Sequence, residues 1–344
     1  MNRAADSRSG AGENDSPHDD ALAPERLQEL VRHVERQQAR VAQAEFQGCP
    51  RRGQHEKPLL AAFGTLTISP SRPSETRFGA FAEAGRFKVA VRFSNGQPNT
   101  HPDTEPDVRG VALKFFTHAG EETDLLATNE GGRSHAPNVT QFVEFADALV
   151  EQALRGIGAF FAALSRLVWK RRLGFVAAAE MFGVLLVETI WRHPQSLIFE
   201  RYWGSVTKLG PSTIKYSIQP HSSSSRGRGR RRKSKDYLRD DLIARLKDGP
   251  VRFDVCVQFF ISEELTPVHD ASIAWRAPLV CIGELELPSV PPREDESAIE
   301  TFAFNPCNGF EALGITQARC AIYRASARER NAAQSDEIRR HWSE

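Results

Sequence analysis

The sequence lacks most familiar signatures of chemistry. None of its five cysteines (Cys49, Cys256, Cys281, Cys307 and Cys320) stands in a CxxC pair, which excludes zinc ribbons and thioredoxin-like redox motifs. Being odd in number and widely spaced, they are expected as free thiols, packed as small core residues in a reducing compartment. Net charge is also nearly missing, since 45 Lys and Arg against 44 Asp and Glu leave +1. A dedicated nucleic-acid binder needs a strongly basic domain, so no nucleic-acid partner is expected. A membrane-spanning helix needs about 20 consecutive apolar residues. The one long apolar region, 156–191, is broken by Arg166, Lys170–Arg172, Glu180 and Glu188. The N-terminus has no apolar h-region, so no secretory signal is read there. These absences predict a soluble, cytoplasmic protein. Dinucleotide, P-loop, HExxH and GxSxG motifs are all absent.

What is present has two periodicities. Residues 1–23 are polar and rich in Gly, Ser and Asp, which predicts a disordered tail. From Pro24, Leu27, Leu30, Val31 and Val34 fall at helical spacing. Strand-like runs follow at Phe63–Ile68, Phe87–Phe93 and Val111–Phe116, separated by Pro, Gly, Asn and Asp. Helical spacing returns over 139–154, 157–169 and 175–191. Strand patterns resume at 213–218, 251–261 and 279–287, and a helix is expected over 315–330. The pattern reads as α+β over 24–335, an antiparallel sheet or barrel with inserted and appended helices. The stretch 221–235 holds seven basic residues and no apolar one. It reads first as a solvated loop, and second as a contact for phosphate-rich polymers or a membrane surface.

The candidate chemical residues gain meaning only as a set. His55 lies just before a strand, in Arg52-Gly53-Gln54-His55-Glu56. Ser94 and Arg92 end one strand, and Asp124 to Asn129 end another. On a helix, Arg319 and Tyr323 share a face at i, i+4, and Arg330 lies two turns on. A guanidinium beside a phenol favours phenolate and is expected to lower a pKa that starts near about 10. Phenolate is a ligand for ferric iron, and Tyr is an axial haem ligand in some proteins. His101, Asp103, Glu105 and Asp107 form an acidic cluster broken by Pro102 and Pro106, which reads as a turn.

These residues resemble the haem catalases, in particular a short catalase-related branch confined to the catalase core. Lys88–Ser94 resembles the family's VRFS segment, Asp107–Phe116 its D-x-RG-x-A-x-KF strand, and Asp124–Asn129 its DL-x-x-x-N strand. Arg319-x-x-x-Tyr323, with Arg328 and Arg330 beyond, resembles its proximal helix. The resemblance runs from about residue 25 to residue 330. It implies an eight-stranded antiparallel barrel wrapped by helices, with haem b between the barrel and the last long helix. By the same resemblance, His55 is the distal acid and base, Asn129 its distal partner, and Ser94 the group that holds the His55 ring. Tyr323 is the proximal iron ligand, Arg319 steadies its phenolate, and Arg52, Arg92 and Arg330 pair with the haem propionates.

The implied activity is consumption of hydrogen peroxide, by dismutation or by oxidation of a donor. Two departures favour organic substrates as an alternative. Gln54 stands where catalases carry a small apolar residue, and a polar residue at that position resembles the catalase-related allene oxide synthases. Glu130–His135 replaces the family's apolar TP-x-FF stretch, leaving Phe142 and Phe145 as the candidate channel aromatics. Rearrangement or reduction of a fatty-acid hydroperoxide is therefore the second reading. A haem- or lipid-binding protein of low turnover, docked on membranes through 157–191 and the basic loop, is the third. Partner expectations are a small peroxide or organic hydroperoxide, a peripheral membrane contact, and a second copy in a homo-oligomer. His118 and His135 are read as bystanders.

Overall fold

The protein is described here by a computed structural model over residues 24–43, 52–97, 100–134, 136–169, 193–224 and 234–342. The expected tail 1–23, the helix over 175–191, His135 and much of the basic loop lie outside these residues. Eight antiparallel strands form a closed barrel: β1 (Pro58–Ile68), β2 (Gly85–Asn95), β3 (Arg109–Phe116), β4 (Glu122–Thr128), β5 (Tyr202–Leu209), β6 (Ser212–Pro220), β7 (Val251–Phe259) and β8 (Val280–Leu287). Their order is β4-β3-β2-β1-β8-β7-β6-β5. The ring closes where Thr128 of β4 pairs with Trp203 of β5. A two-residue strand, β9 (Glu311–Ala312), adds to the outer edge of β5.

Alternation along the strands sends one set of side chains inward and the other outward. In β1, Leu60, Ala62, Leu66 and Ile68 join Phe93, Phe115, Phe253 and Leu285 in the barrel interior. Ala61 and Ala90 face outward, under a cover made by Ile299, Phe302, Phe304 and Ile338 from the C-terminal segment. That segment contains α5 (Arg293–Thr301), α6 (Ile315–Glu329) and α7 (Ser335–Ile338). Three further helices, α1 (Pro24–Gln43), α2 (Val139–Arg155) and α3 (Ile157–Trp169), form a second layer; α4 (Tyr237–Asp248) links β6 to β7. Leu30 and Val34 of α1, Phe142 and Phe145 of α2, and Ile315, Ala318 and Ile322 of α6 share one apolar cluster. The α1–α2 contact is also polar, through His33 with Asp147 at 2.9 Å and Arg40 with Glu151 at 2.8 Å. No described helix is long and apolar enough to cross a membrane.

The strand and helix expectations hold for the long periodic segments. β5 and α4 were not anticipated. Tyr202–Leu209 carries a glycine and mixed polarity in place of clean alternation, and α4 has only a weak apolar stripe. The cysteine expectation is corrected. Cys256 of β7 is bonded to Cys281 of β8, and Cys307 to Cys320 of α6. A rule that looks for short CxxC spacing cannot see pairs created by sheet register or by a returning chain.

Candidate active site

The site residues meet where the ends of β2, β3 and β4 approach α6. His55 precedes β1 and has a backbone φ of 58°, in the left-handed region. Such a conformation is costly for a side chain with a Cβ and persists only when its surroundings over-determine it. Here the His55 N–H donates to the Gly96 carbonyl at 3.0 Å. The Arg92 side chain donates from NH1 to the His55 carbonyl at 3.0 Å. The ring is fixed by a hydrogen bond between Nδ1 and Ser94 Oγ at 3.1 Å. It lies on Gly110, where an added Cβ would stand 2.6 Å from His55 Cε1 and 2.7 Å from Nδ1. The glycine of the D-x-RG strand therefore makes room for an imidazole. Burial, and then the charge of Arg92, push the His55 pKa down from 6.5 to about 4. The ring is therefore neutral at physiological pH, with Nε2 the nitrogen left free of Ser94.

Beside it, Arg52, Arg92 and Arg330 crowd together. Arg92 Nε donates to Glu300 Oε1 at 2.8 Å, and Arg52 NH2 donates to the Glu300 backbone carbonyl at 2.7 Å. Burial first, and neighbouring guanidiniums second, push Arg52 well below its ordinary pKa and Arg330 down to about 10. The carboxylates opposing this in both cases are Glu300 and Glu56. Arg330 Nε is buried with no hydrogen-bond partner among the described residues. Three cations facing two carboxylates, with one orphaned donor, suit additional anionic oxygens, for which guanidinium offers paired donors.

Tyr323 faces the same space from α6. Its hydroxyl has no hydrogen-bond partner among the described residues. Burial raises its pKa above 10, while Arg319, Arg52 and Arg92 pull it down by less. This corrects the expectation of a lowered value: the nearby arginines act in the expected direction, but desolvation of the phenolate outweighs them. Arg319 bonds Ser205 Oγ of β5 and approaches Ser134 Oγ at 3.4 Å, with its guanidinium 5.3 Å from the centre of the Phe142 ring. Thr316 pins the start of the helix to the Val206 carbonyl of β5 at 2.9 Å.

Asn129 directly follows β4 and is buried. Its Oδ1 accepts the Arg109 N–H at 2.8 Å, and its Nδ2 donates to Glu200 Oε2 at 2.7 Å. No bond joins it to His55; one amide hydrogen remains uncommitted. His118 packs on Phe87, with ring centres 4.7 Å apart. Sequence reasoning missed Glu300 and Glu200 as partners of the set. It quoted Gly110 without seeing its role. No described His, Cys, Asp and Glu side chains group as a metal site.

Haem nonetheless fits the residues present. A flat dianionic group matches the arginine cluster and the orphaned Nε, and the unpartnered phenol offers an oxygen ligand.

A family profile described as Catalase matches residues 31–131. A catalase-related peroxidase of Mycolicibacterium paratuberculosis (strain ATCC BAA-968 / K-10) is 30% identical over 295 residues, covering 79% of this chain and 88% of the relative. The chain belongs to the catalase family. Solved catalases share its fold at lower identity. A bacterial catalase aligns with a TM-score of 0.62 at 21% identity, over 97% of this chain and 65% of its own. A fungal catalase aligns at 0.64 and 18%, over 97% and 68%. Catalase A of Saccharomyces cerevisiae aligns at 0.62 and 19%, over 90% and 65%. This catalase-family chain thus spans about two thirds of the length of those solved catalases.

Proposed function

We propose that the chain is a haem-dependent oxidoreductase that consumes peroxide. The observation that carries this reading is the convergence on one space of three arginines, one buried and two half-buried, a half-buried phenol with no hydrogen bond among the described residues, and a neutral, fixed imidazole. Bound haem would supply the iron that receives peroxide and exchanges its electrons. Everything else falls to the chain. Arg52, Arg92 and Arg330 hold the two propionates and offset their charge. Tyr323 would hold the metal through its phenol oxygen, and the charge of Arg319 favours the phenolate that such a contact needs. His55, neutral and immobilised by Ser94 and Gly110, takes a proton at Nε2 from one peroxide oxygen and returns it to the other. The remaining amide hydrogen of Asn129 orients the peroxide.

A second reading, an organic hydroperoxide as substrate, is favoured by one observation. Ser134 sits in the stretch that replaces the family's aromatic run, and it hydrogen-bonds Arg319 instead of filling a channel. On the other side of the site, Gln54 adds a half-buried polar residue next to His55.

The test is to load the chain with haem and record its spectrum, then add each peroxide. A high-spin ferric Soret band of tyrosinate type, with oxygen release from hydrogen peroxide, is expected for the first reading. Loss of a fatty-acid hydroperoxide without oxygen release supports the second. A chain that takes up no haem removes both.

A further inference from the structure

We infer that His101 is a positioning residue for His55, acting as a fixed imidazolium that clasps Asp107. The inference rests on the reading of His55 as the acid and base of the site. Residues 101–107 form the turn expected from sequence, but that turn is wired to the site.

The protonation state follows from the partners. His101 Nδ1 bonds the Pro102 carbonyl at 3.0 Å, and Nε2 bonds Asp107 Oδ2 at 2.9 Å. A carbonyl and a carboxylate only accept, so both ring nitrogens must donate. The ring therefore carries two protons. Its side chain is buried, at 8% exposed. Burial alone favours the neutral ring, but the bond to Asp107, its charge and the Pro102 carbonyl outweigh burial, so the pKa stands above the ordinary value. The other charged groups nearby are Glu105, whose Oε2 is 3.8 Å from Nδ1, and Arg109, whose NH1 is 3.5 Å from Asp107 and opposes protonation. In the same turn, Asp103 is tied off by Lys57 at 2.8 Å.

Asp107 carries the effect onward. Its Oδ2 also accepts the backbone N–H of Gly96 at 2.8 Å and of Gln97 at 3.1 Å. The Gly96 carbonyl in turn accepts the N–H of His55 at 3.0 Å, and the Gln97 carbonyl that of Glu56 at 3.3 Å. An unbroken run of hydrogen bonds thus joins His101 to the backbone of His55, the residue held at positive φ. Loss of one proton from His101 leaves a bare nitrogen facing an acceptor. One end of the clasp then opens, and the turn that holds His55 loosens. The pairing also offsets the Asp107 charge, which by itself favours protonated His55.

The experiment compares the wild-type chain with His101→Gln, Asp107→Asn and His55→Ala. Melting temperature is measured without haem, and kcat and KM for hydrogen peroxide with haem bound, both from neutral to alkaline pH. A histidine with a raised folded pKa stabilises fully below its unfolded pKa of about 6.5, and that stability is lost as pH rises through the folded value. In the wild type, melting temperature and kcat are therefore expected to fall together across that window while KM holds. His101→Gln, which can donate to Asp107 but does not titrate, should remove that pH-dependent fall in both readouts and lower neutral kcat about tenfold. Asp107→Asn should move the fall to lower pH by about one unit. A His101→Gln chain with the wild-type pH dependence overturns the inference. Should that variant fail to fold, an unmoved alkaline fall in Asp107→Asn overturns it equally. Retained turnover in His55→Ala sinks the reading of His55, an outcome separate from the melting series, which passes or fails the clasp by itself.

Discussion

On the barrel side of the site, the His55 ring rests on Gly110, bonds Ser94, and has its backbone held by Gly96 and Arg92. On the α6 side, the Tyr323 hydroxyl has no partner among the described residues, and Arg319 leans on Ser205, Ser134 and Phe142. On the barrel side the His55 ring and backbone are held by protein atoms, while Asn95 Oδ1 and Arg109 Nε nearby are buried without a partner among the described residues. The helix side carries a half-buried phenol whose pKa burial raises and, at Arg330, a buried donor without an acceptor among the described residues. The difference teaches a division of labour. On the proposed reading, the group that moves protons is held by the barrel, whereas the helix side is where a ligand would supply a cation to the phenol and anions to the arginines.

The substitution expected to break this contrast most completely is Tyr323→Phe. It should abolish or shift the Soret band of the haem-loaded chain and remove turnover. Without haem, it should leave the melting temperature nearly unchanged, because it removes a half-buried hydroxyl that makes no hydrogen bond among the described residues. An unchanged spectrum would discard Tyr323 as the ligand.

His55→Ala should keep the haem band and lose turnover by about 10²–10⁴-fold. That pair of results would place binding and proton transfer on opposite sides of the site; stopped-flow kinetics with matched spectra can check it.

Gly110→Ala tests the barrel side alone. A Cβ there must push the imidazole away from Ser94, and crowding of this kind costs about 1–3 kcal/mol. Lower turnover and a lower melting point, with the haem band intact, are expected. A fully active Gly110→Ala chain would mean that the ring has another place to sit.

The smallest effect is in pH. His55 has a folded pKa lowered from 6.5 to about 4. Its contribution to stability is therefore present above its unfolded pKa and lost as pH falls through about 4. Acid titration of the melting temperature should show this loss, and His55→Ala should lack it. Equal acid sensitivity in both chains would assign the loss to other groups.

Much of this was legible in the sequence because strand ends carry short motifs. Arg92-Phe93-Ser94 and Arg109-Gly110 lie opposite one another in the β2–β3 register, with Ser94 paired to Gly110. Two motifs about sixteen residues apart thus become one surface under the His55 ring. Arg319 and Tyr323 were equally legible because helical spacing alone puts them on one face. Glu300 and Glu200 were not, since each reaches its partner across 208 and 71 residues, respectively, with no local pattern to mark it. The Tyr323 pKa went the other way because proximity of charge can be read from spacing, but the cost of leaving water cannot. The cysteine pairs failed for a similar reason: Cys256 meets Cys281 only through the β7–β8 register.

The barrel is sealed by the single rung between Thr128 and Trp203. Asn129 follows that rung directly on one strand, and its partner Glu200 lies just before β5 on the other. Breathing of the wall should therefore begin at this seam, where the fewest backbone bonds must part. A bulky planar guest could be admitted there without unravelling the rest of the cylinder. Amide hydrogen exchange in 126–130 and 200–205 should then slow once the guest is in place, with the opposite wall at β1 and β8 indifferent to it.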